Sequence, residues 1–200
     1  HFARSRIGGH NGSMVFRGGI WACWIIFSAY WLVSASTAKA VQQRQSRAEE
    51  WAWRGPILLA AALLIFAKNL PAADRLPALA TYAWGWTGVI VLVIGLAIAL
   101  WARRTLGGNW GSAVSLKQGH ELIQNGPYRF VRNPIYTGLI LMFLGTALVV
   151  GHSSSLLAVV LAIFGYWIKL KQEEQVMQTQ FPAAYAAYRA RVKALIPFLL

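Results

Sequence analysis

Five apolar segments alternate with polar segments along the chain. They occupy approximately residues 16–37, 55–70, 82–101, 134–150 and 156–170. A helix needs about 17–25 mostly apolar residues to span a bilayer, and somewhat fewer where its neighbours bury its ends. The pattern therefore predicts an all-α integral membrane protein with about five transmembrane helices.

Lys and Arg residues concentrate in three polar connections, at 39–54, 103–133 and 171–200, whereas the turns between the other segments contain only Arg75. Basic connections of membrane proteins face the cytoplasm. Five spans place these connections and the C-terminus on that side and the N-terminus outside, where Arg17 is a mild exception. The two C-terminal connections are therefore expected to form one cytosolic lobe.

The composition supports a membrane protein and excludes several other classes. Apolar residues make up 57% of the chain, the mean hydropathy is +0.47, and charged residues are 12%, about half the usual share in soluble domains. The basic residues that give the formal charge of +13 lie between apolar runs rather than in a basic soluble domain. No nucleic-acid partner is therefore predicted. The single cysteine, Cys23, excludes an intrachain disulfide, and no metal site is predicted.

The same pattern gives the domain boundaries. Residues 1–13 are polar, rich in glycine and unpatterned, and Gly12-Ser13 directly before Met14 is typical of an expression-tag junction. A tag or a disordered leader is therefore expected at 1–13. Residues 14–200 are expected to form one membrane domain, in which 103–200 contain the functional site.

Residues 126–138 combine a turn, two arginines and two tyrosines directly before an apolar segment. A residue that precedes proline avoids the helical conformation, so Gly126-Pro127 and Asn133-Pro134 predict two breaks. A basic, aromatic anchor at a membrane boundary uses the same residue types. These residues alone leave an anchor and a functional site equally open.

A pair of carboxylates, Glu173 and Glu174, follows the fifth apolar segment, and Lys169 lies one helical turn before Glu173. Charged groups at this depth are costly unless they are paired. The three residues therefore form either an ordinary ion pair at a helix end or part of a site. A site is favoured because the loop at 103–133 is expected on the same side of the membrane.

Three motifs in order give the chain a family resemblance: His120-Glu121-Leu122-Ile123, the run Gly126 to Gly138, and Glu173-Glu174. With the tail residues Phe181, Tyr185, Tyr188, Arg191-Val192 and Ile196-Pro197, residues 85–200 resemble the isoprenylcysteine carboxyl methyltransferases. These are integral membrane enzymes related to the phospholipid methyltransferases. The resemblance implies membrane helices capped by a cytosolic lobe that binds S-adenosylmethionine. It also implies methyl transfer to a lipophilic acceptor at the cytosolic membrane boundary, most simply the carboxylate of an isoprenylcysteine-like substrate.

The resemblance further implies roles for individual residues. The residues expected to bind the cofactor are His120, Leu122, Ile123, Tyr128, Asn133, Pro134, Ile135, Tyr136, Glu173 and Glu174. Side-chain chemistry, apart from the resemblance, gives the expected catalytic residues: Arg132 would orient an anionic substrate, Lys169 would hold its carboxylate, and Glu174 would serve as a base for an amine acceptor. Two departures stand out. Asn133 replaces the histidine that is common in the family, and Gly108 stands where relatives often carry arginine.

Three alternatives remain open at this stage. A phospholipid N-methyltransferase acting on phosphatidylethanolamine would need a base such as Glu174 or a lipid phosphate, whereas a carboxylate acceptor needs none. An NADPH-dependent, sterol-type membrane reductase is a second alternative, because such enzymes have a C-terminal region with a similar sequence pattern. A non-catalytic membrane scaffold leaves the motifs without a role. The sequence does not indicate the oligomeric state or which membrane contains the protein.

Overall fold

The computed structural model describes residues 4–36, 41–44, 46–69, 71, 74–79, 81–110, 115–117 and 122–196. Within these ranges the chain forms α1 (Arg4–Ala35), β1 (Val41–Arg44), α2 (Arg47–Phe66), α3 (Tyr82–Leu106), β2 (Ser115–Lys117), α4 (Pro134–Val150), α5 (Ser153–Gln180) and α6 (Pro182–Arg191). Each of the five predicted apolar segments contributes one of the first five helices. The predominantly helical fold is thus confirmed.

Three helical stretches are long and apolar enough to cross a membrane, namely Met14–Ala35, Tyr82–Asn109 and Ser153–Gln180. The α4 helix is also apolar but has 17 residues, and α2 begins with a turn that contains Glu49 and Glu50. By length and composition the protein is therefore a helical membrane protein with three clear spanning candidates. The five-span topology stays a prediction.

Several boundaries differ from the hydropathy pattern. The α1 helix begins at Arg4, inside the predicted leader. The second half of the polar linker, from Arg47, and the second apolar segment up to Phe66 form one helix, α2. It begins with a capping box between Ser46 and Glu49 and continues through Pro56. In addition, β1 and β2 pair antiparallel, with Val41 opposite Lys117. Hydropathy does not mark these helix ends, because a helix can extend through polar residues wherever its backbone hydrogen bonds are formed.

The α3 and α4 helices form the most extensive helix pair in the described structure. Glycines on both helices allow this close approach. A Cβ atom on Gly145 would lie 2.5 Å from the Gly88 carbonyl oxygen, and one on Gly138 would lie 2.6 Å from the Gly95 carbonyl oxygen. Small residues at such contacts let helix backbones pack closely in membranes. This contact holds the first turn of α4 against the last turns of α3.

The other helices pack around this pair. The α1 helix packs mainly on α3, and α2 packs mainly on α5, which also contacts α4. At the far end of α4, Asp74 accepts hydrogen bonds from the backbone N–H of Ser154 at 3.2 Å and from its hydroxyl at 2.6 Å, and from the Ser153 hydroxyl. These hydrogen bonds, of which the one from Ser153 has the largest effect, lower the pKa of Asp74 to about 2. Asp74 therefore holds the N-terminus of α5 as a carboxylate.

Candidate active site

A cavity of about 520 Å³ lies where the turn before α4, the first turn of α4, the C-terminal half of α5 and α6 meet. The predicted site residues that line it are Leu122, Ile123, Tyr128, Arg132, Asn133, Ile135, Tyr136, Lys169, Glu173 and Glu174. Pro134 is buried at the start of α4. His120 lies outside the described residues. The fold thus brings the separate motifs together at one cavity.

The turn at Gly126–Arg129 positions Tyr128. Gly126 has a φ of +56°, a left-handed conformation that favours glycine, and a single 3₁₀ turn follows it. The buried Tyr128 hydroxyl lies 3.4 Å from the Ala102 carbonyl oxygen on α3, and the Tyr128 carbonyl accepts a 2.6 Å hydrogen bond from the Tyr188 hydroxyl. Burial raises the pKa of Tyr128 well above its usual range and that of Tyr188 to about 12. Both phenols therefore stay protonated at neutral pH.

Residues 131–133 join the loop to the tail that follows α6. The Arg132 N–H donates to the Lys193 carbonyl at 2.8 Å, and the Asn133 N–H donates to the Ala194 carbonyl at 3.0 Å. The Asn133 side-chain amide also donates to the Ala194 carbonyl, at 3.3 Å. At the position where the family commonly has histidine, Asn133 therefore fastens the tail to the start of α4.

Arg132 and Glu174 form a buried ion pair. The Nε and Nη2 atoms of Arg132 donate to Glu174 Oε1 at 2.9 Å and 2.5 Å, and the two side chains are only 8% and 5% exposed. Nη1 of Arg132 also donates to the carbonyl of Val192 in the tail. The guanidinium and the carboxylate therefore already have protein partners, and together they hold α5, the loop and the tail in one arrangement.

Glu173 and Lys169 lie in a more aromatic part of the cavity. The Tyr136 hydroxyl donates to Glu173 Oε1 at 2.6 Å, and the Tyr136 ring stacks on Tyr166 with ring centroids 5.3 Å apart. The buried Lys169 Nζ lies 4.3 Å from the centroid of the Trp53 ring and 5.6 Å from that of Tyr136. A carboxylate among electron-rich rings suits a cationic ligand, because both attract positive charge.

Sequence reasoning missed the contribution of α1 and α2 to this cavity. Trp53 and Arg54 of α2 line it, as do Trp24, Phe27 and Trp31 of α1. The recurrence of tryptophan at helical spacing in α1 was the available signal, but the same spacing is typical of packing or of interface anchoring. The apolar part of the cavity therefore extends between α1 and α2, away from the glutamates.

The comparisons with known proteins identify the family of the chain. The family model for phospholipid methyltransferases matches residues 84–184, just over half of the chain. The matched region begins in α3, contains the loop, α4 and α5, and ends in α6.

Curated relatives are similar over more than half of the chain. The probable protein-S-isoprenylcysteine O-methyltransferase of Oryza sativa subsp. indica is 26% identical over 136 residues, which are 66% of this chain and 71% of the relative. The protein-S-isoprenylcysteine O-methyltransferase of Dictyostelium discoideum is 27% identical over 124 residues, 60% of this chain and 52% of the relative. The Saccharomyces cerevisiae enzyme of the same name is 26% identical over 115 residues, 56% of this chain and 48% of the relative.

The matches to the last two relatives thus span about half of each relative's length. The resemblance based on the motifs is confirmed. The chain belongs to the phospholipid methyltransferase family of enzymes, and its similarity within that family extends to the isoprenylcysteine O-methyltransferases.

Proposed function

We propose that the protein transfers a methyl group from S-adenosylmethionine to a lipophilic carboxylate of the isoprenylcysteine type. The observation that carries this proposal is the convergence of Glu173, Glu174 and Lys169 with aromatic rings at one cavity that continues into an apolar cleft. The relatives named as isoprenylcysteine O-methyltransferases support an acceptor of this class.

The cavity has the properties that this cofactor requires. S-adenosylmethionine supplies a transferable methyl group on a positively charged sulfonium. A volume of about 520 Å³ lies within the roughly 300–1,000 Å³ of ligand pockets. Glu173 would bind the positively charged part of the cofactor. Within the described residues its carboxylate accepts one hydrogen bond, from the Tyr136 hydroxyl, and can therefore accept others from a ligand. Leu122, Ile123 and Tyr128 would surround the remainder.

Lys169 is proposed to hold the acceptor carboxylate. Its ammonium lies beside Trp53, at the point where the polar part of the cavity meets the apolar side chains of α1 and α2. A lipid tail in the apolar cleft would place its carboxylate near this charge. A carboxylate is already a nucleophile, so positioning and exclusion of water supply the acceleration without a general base.

The ion pair of Glu174 favours this acceptor over an amine. An amine must lose a proton before it attacks, and Glu174 was the predicted base for that step. Its Oε1 is already bound by two nitrogen atoms of Arg132, so that oxygen is not available to accept a proton from an amine. We therefore assign Arg132 and Glu174 a positioning role, in which they hold α5 and the tail around the cavity.

The proposal includes the membrane topology. Helices α1 to α5 would all cross the bilayer, with α2 and α4 as the shorter spans. The cavity would face the cytoplasm, since the basic connections lie at that end of the helices. The cofactor would then enter from the aqueous side and the acceptor from the lipid.

Replacing Glu173 with glutamine is expected to weaken S-adenosylhomocysteine binding by about 10- to 100-fold, because a hydrogen bond to a charged group contributes about 1.5–3 kcal/mol. Isothermal titration of the detergent-purified protein measures this change. Glu49→Gln is the matched control, since Glu49 is exposed at the start of α2 and glutamine preserves a capping box. Binding of NADPH in place of S-adenosylhomocysteine would assign the protein to a reductase reaction instead.

Replacing Lys169 with methionine is expected to lower kcat/KM for an isoprenylcysteine-like carboxylate by about 10- to 100-fold while S-adenosylhomocysteine affinity is unchanged. Methionine keeps the apolar stem and removes the charge that would hold the acceptor. A radiolabelled methyl-transfer assay measures turnover, and Lys171→Met, on the exposed face of α5, is the control. Equal turnover in both variants would rule out the role assigned to Lys169.

A further inference from the structure

A second cavity, of about 1270 Å³, lies at the end of the helices opposite the candidate active site. The middle of α1, the second half of α2, the start of α3 and the end of α4 form its walls. Most of its lining is aliphatic or aromatic, including Phe16, Ile20, Leu64, Phe66, Tyr82 and Val149. Trp24, Ala61 and Phe143 line both cavities. These three residues therefore separate the second cavity from the site of the proposed reaction.

Two arginines, Arg17 of α1 and Arg75 of the α2–α3 connection, line this apolar cavity, and both are exposed. Within the described ranges, neither has an ion pair with a carboxylate. The neighbouring Asp74 is engaged with Ser153 and Ser154 at the start of α5, and its Oδ2 lies 3.2 Å from His152 Nδ1. The cavity therefore combines an apolar interior with two guanidinium groups outside any ion pair, and together with the nearby Asp74 carboxylate they leave a net positive charge at this end.

The remaining acidic residues of the described chain do not offset this charge. Glu49 and Glu50 lie in the first turn of α2, and Glu173 and Glu174 lie at the candidate active site, at the other end of the helices. A guanidinium binds phosphate through a planar pair of N–H groups. The complementary ligand is thus an amphiphile with an anionic phosphate head and an apolar tail.

We propose that the second cavity binds an anionic phospholipid of the surrounding membrane, with its headgroup at Arg17 and Arg75. One acyl chain would lie along the apolar side chains of α1 and α2 and end at Trp24. Trp24 is held in place, since its Nε1 donates to Thr146 Oγ1 at 3.1 Å and its ring contacts Phe143 at 5.5 Å between centroids. The inference does not depend on the proposed methyl transfer.

Native mass spectrometry of the full chain in neutral detergent tests the site. The protein is titrated with phosphatidylglycerol and, separately, with phosphatidylcholine that has the same acyl chains. The wild type is expected to retain phosphatidylglycerol preferentially. The Arg17→Gln/Arg75→Gln variant is expected to lose about fivefold in phosphatidylglycerol affinity for each arginine removed.

The matched control is the Arg104→Gln/Arg129→Gln variant, which removes two exposed arginines that line neither cavity. It is expected to retain the wild-type preference, and thermal unfolding checks that both double variants are folded. Equal retention of the two lipids by the wild type, or equal loss in the two double variants, would overturn the proposal.

Discussion

Replacing Arg132 with alanine is expected to destabilise the protein by about 3–5 kcal/mol, the loss seen when one partner of a buried ion pair is removed. The variant leaves the Glu174 carboxylate, 5% exposed, without its cation. It also removes the side-chain donor to the Val192 carbonyl, which fastens the tail. Denaturant unfolding in detergent micelles, followed by tryptophan fluorescence, measures the change.

Two comparisons identify the cause of this loss. Adding Glu174→Gln to Arg132→Ala is expected to restore part of the stability, because it removes the uncompensated charge. Arg54→Ala breaks a pair with Glu50 of similar length, 2.6 Å, whose side chains are 38% and 26% exposed, and it is expected to cost only about 0–1 kcal/mol. A loss for Arg132→Ala no larger than that for Arg54→Ala would contradict the interpretation.

Replacing Gly145 with alanine is expected to lower the free energy of unfolding by about 1–3 kcal/mol, the usual cost of overpacking a tight contact. The new Cβ would lie 2.5 Å from both the Gly88 carbonyl oxygen and the Leu92 amide nitrogen. Both neighbours are backbone atoms, so relief requires the helices to separate. The same unfolding experiment measures the loss.

Gly18→Ala in α1 is the control for this substitution, because no atom outside its own stretch of helix lies within 4 Å of a Cβ at that position. Alanine is the better helix former by about 1 kcal/mol, so Gly18→Ala is expected to be neutral or stabilising. Similar free energies of unfolding for the two variants would show that the close contact of α3 and α4 does not limit stability.

The hydropathy pattern predicted which segments are helical but not where the helices end. The α5 helix continues to Gln180, ten residues past the last apolar position of its segment, and therefore carries Glu173 and Glu174 itself. The α2 helix begins at Arg47 rather than at the apolar boundary. Hydropathy reports where a helix can meet lipid, whereas its length depends on capping and on backbone hydrogen bonds.

The motifs predicted most of the residues at the cavity but not how they pair. Arg132 was predicted to orient a substrate, and the structure pairs it with Glu174, 42 positions later. Trp53, which lies beside Lys169, was not among the residues predicted for the site. Such pairings depend on how helices approach each other in three dimensions, and one sequence gives no signal for that.

In the proposed function, the continuity of α5 would set the depth of the reaction in the membrane. Glu173 lies 20 residues after Ser153 on one uninterrupted helix, a rise of about 30 Å, which is about the thickness of the hydrocarbon layer of a bilayer. An amphiphile whose tail lies in that layer would reach the Glu173 carboxylate only through the polar group at its headgroup end. The length of α5 would therefore fix the distance of Glu173 from the opposite membrane surface, and membrane thickness would influence which amphiphiles can react.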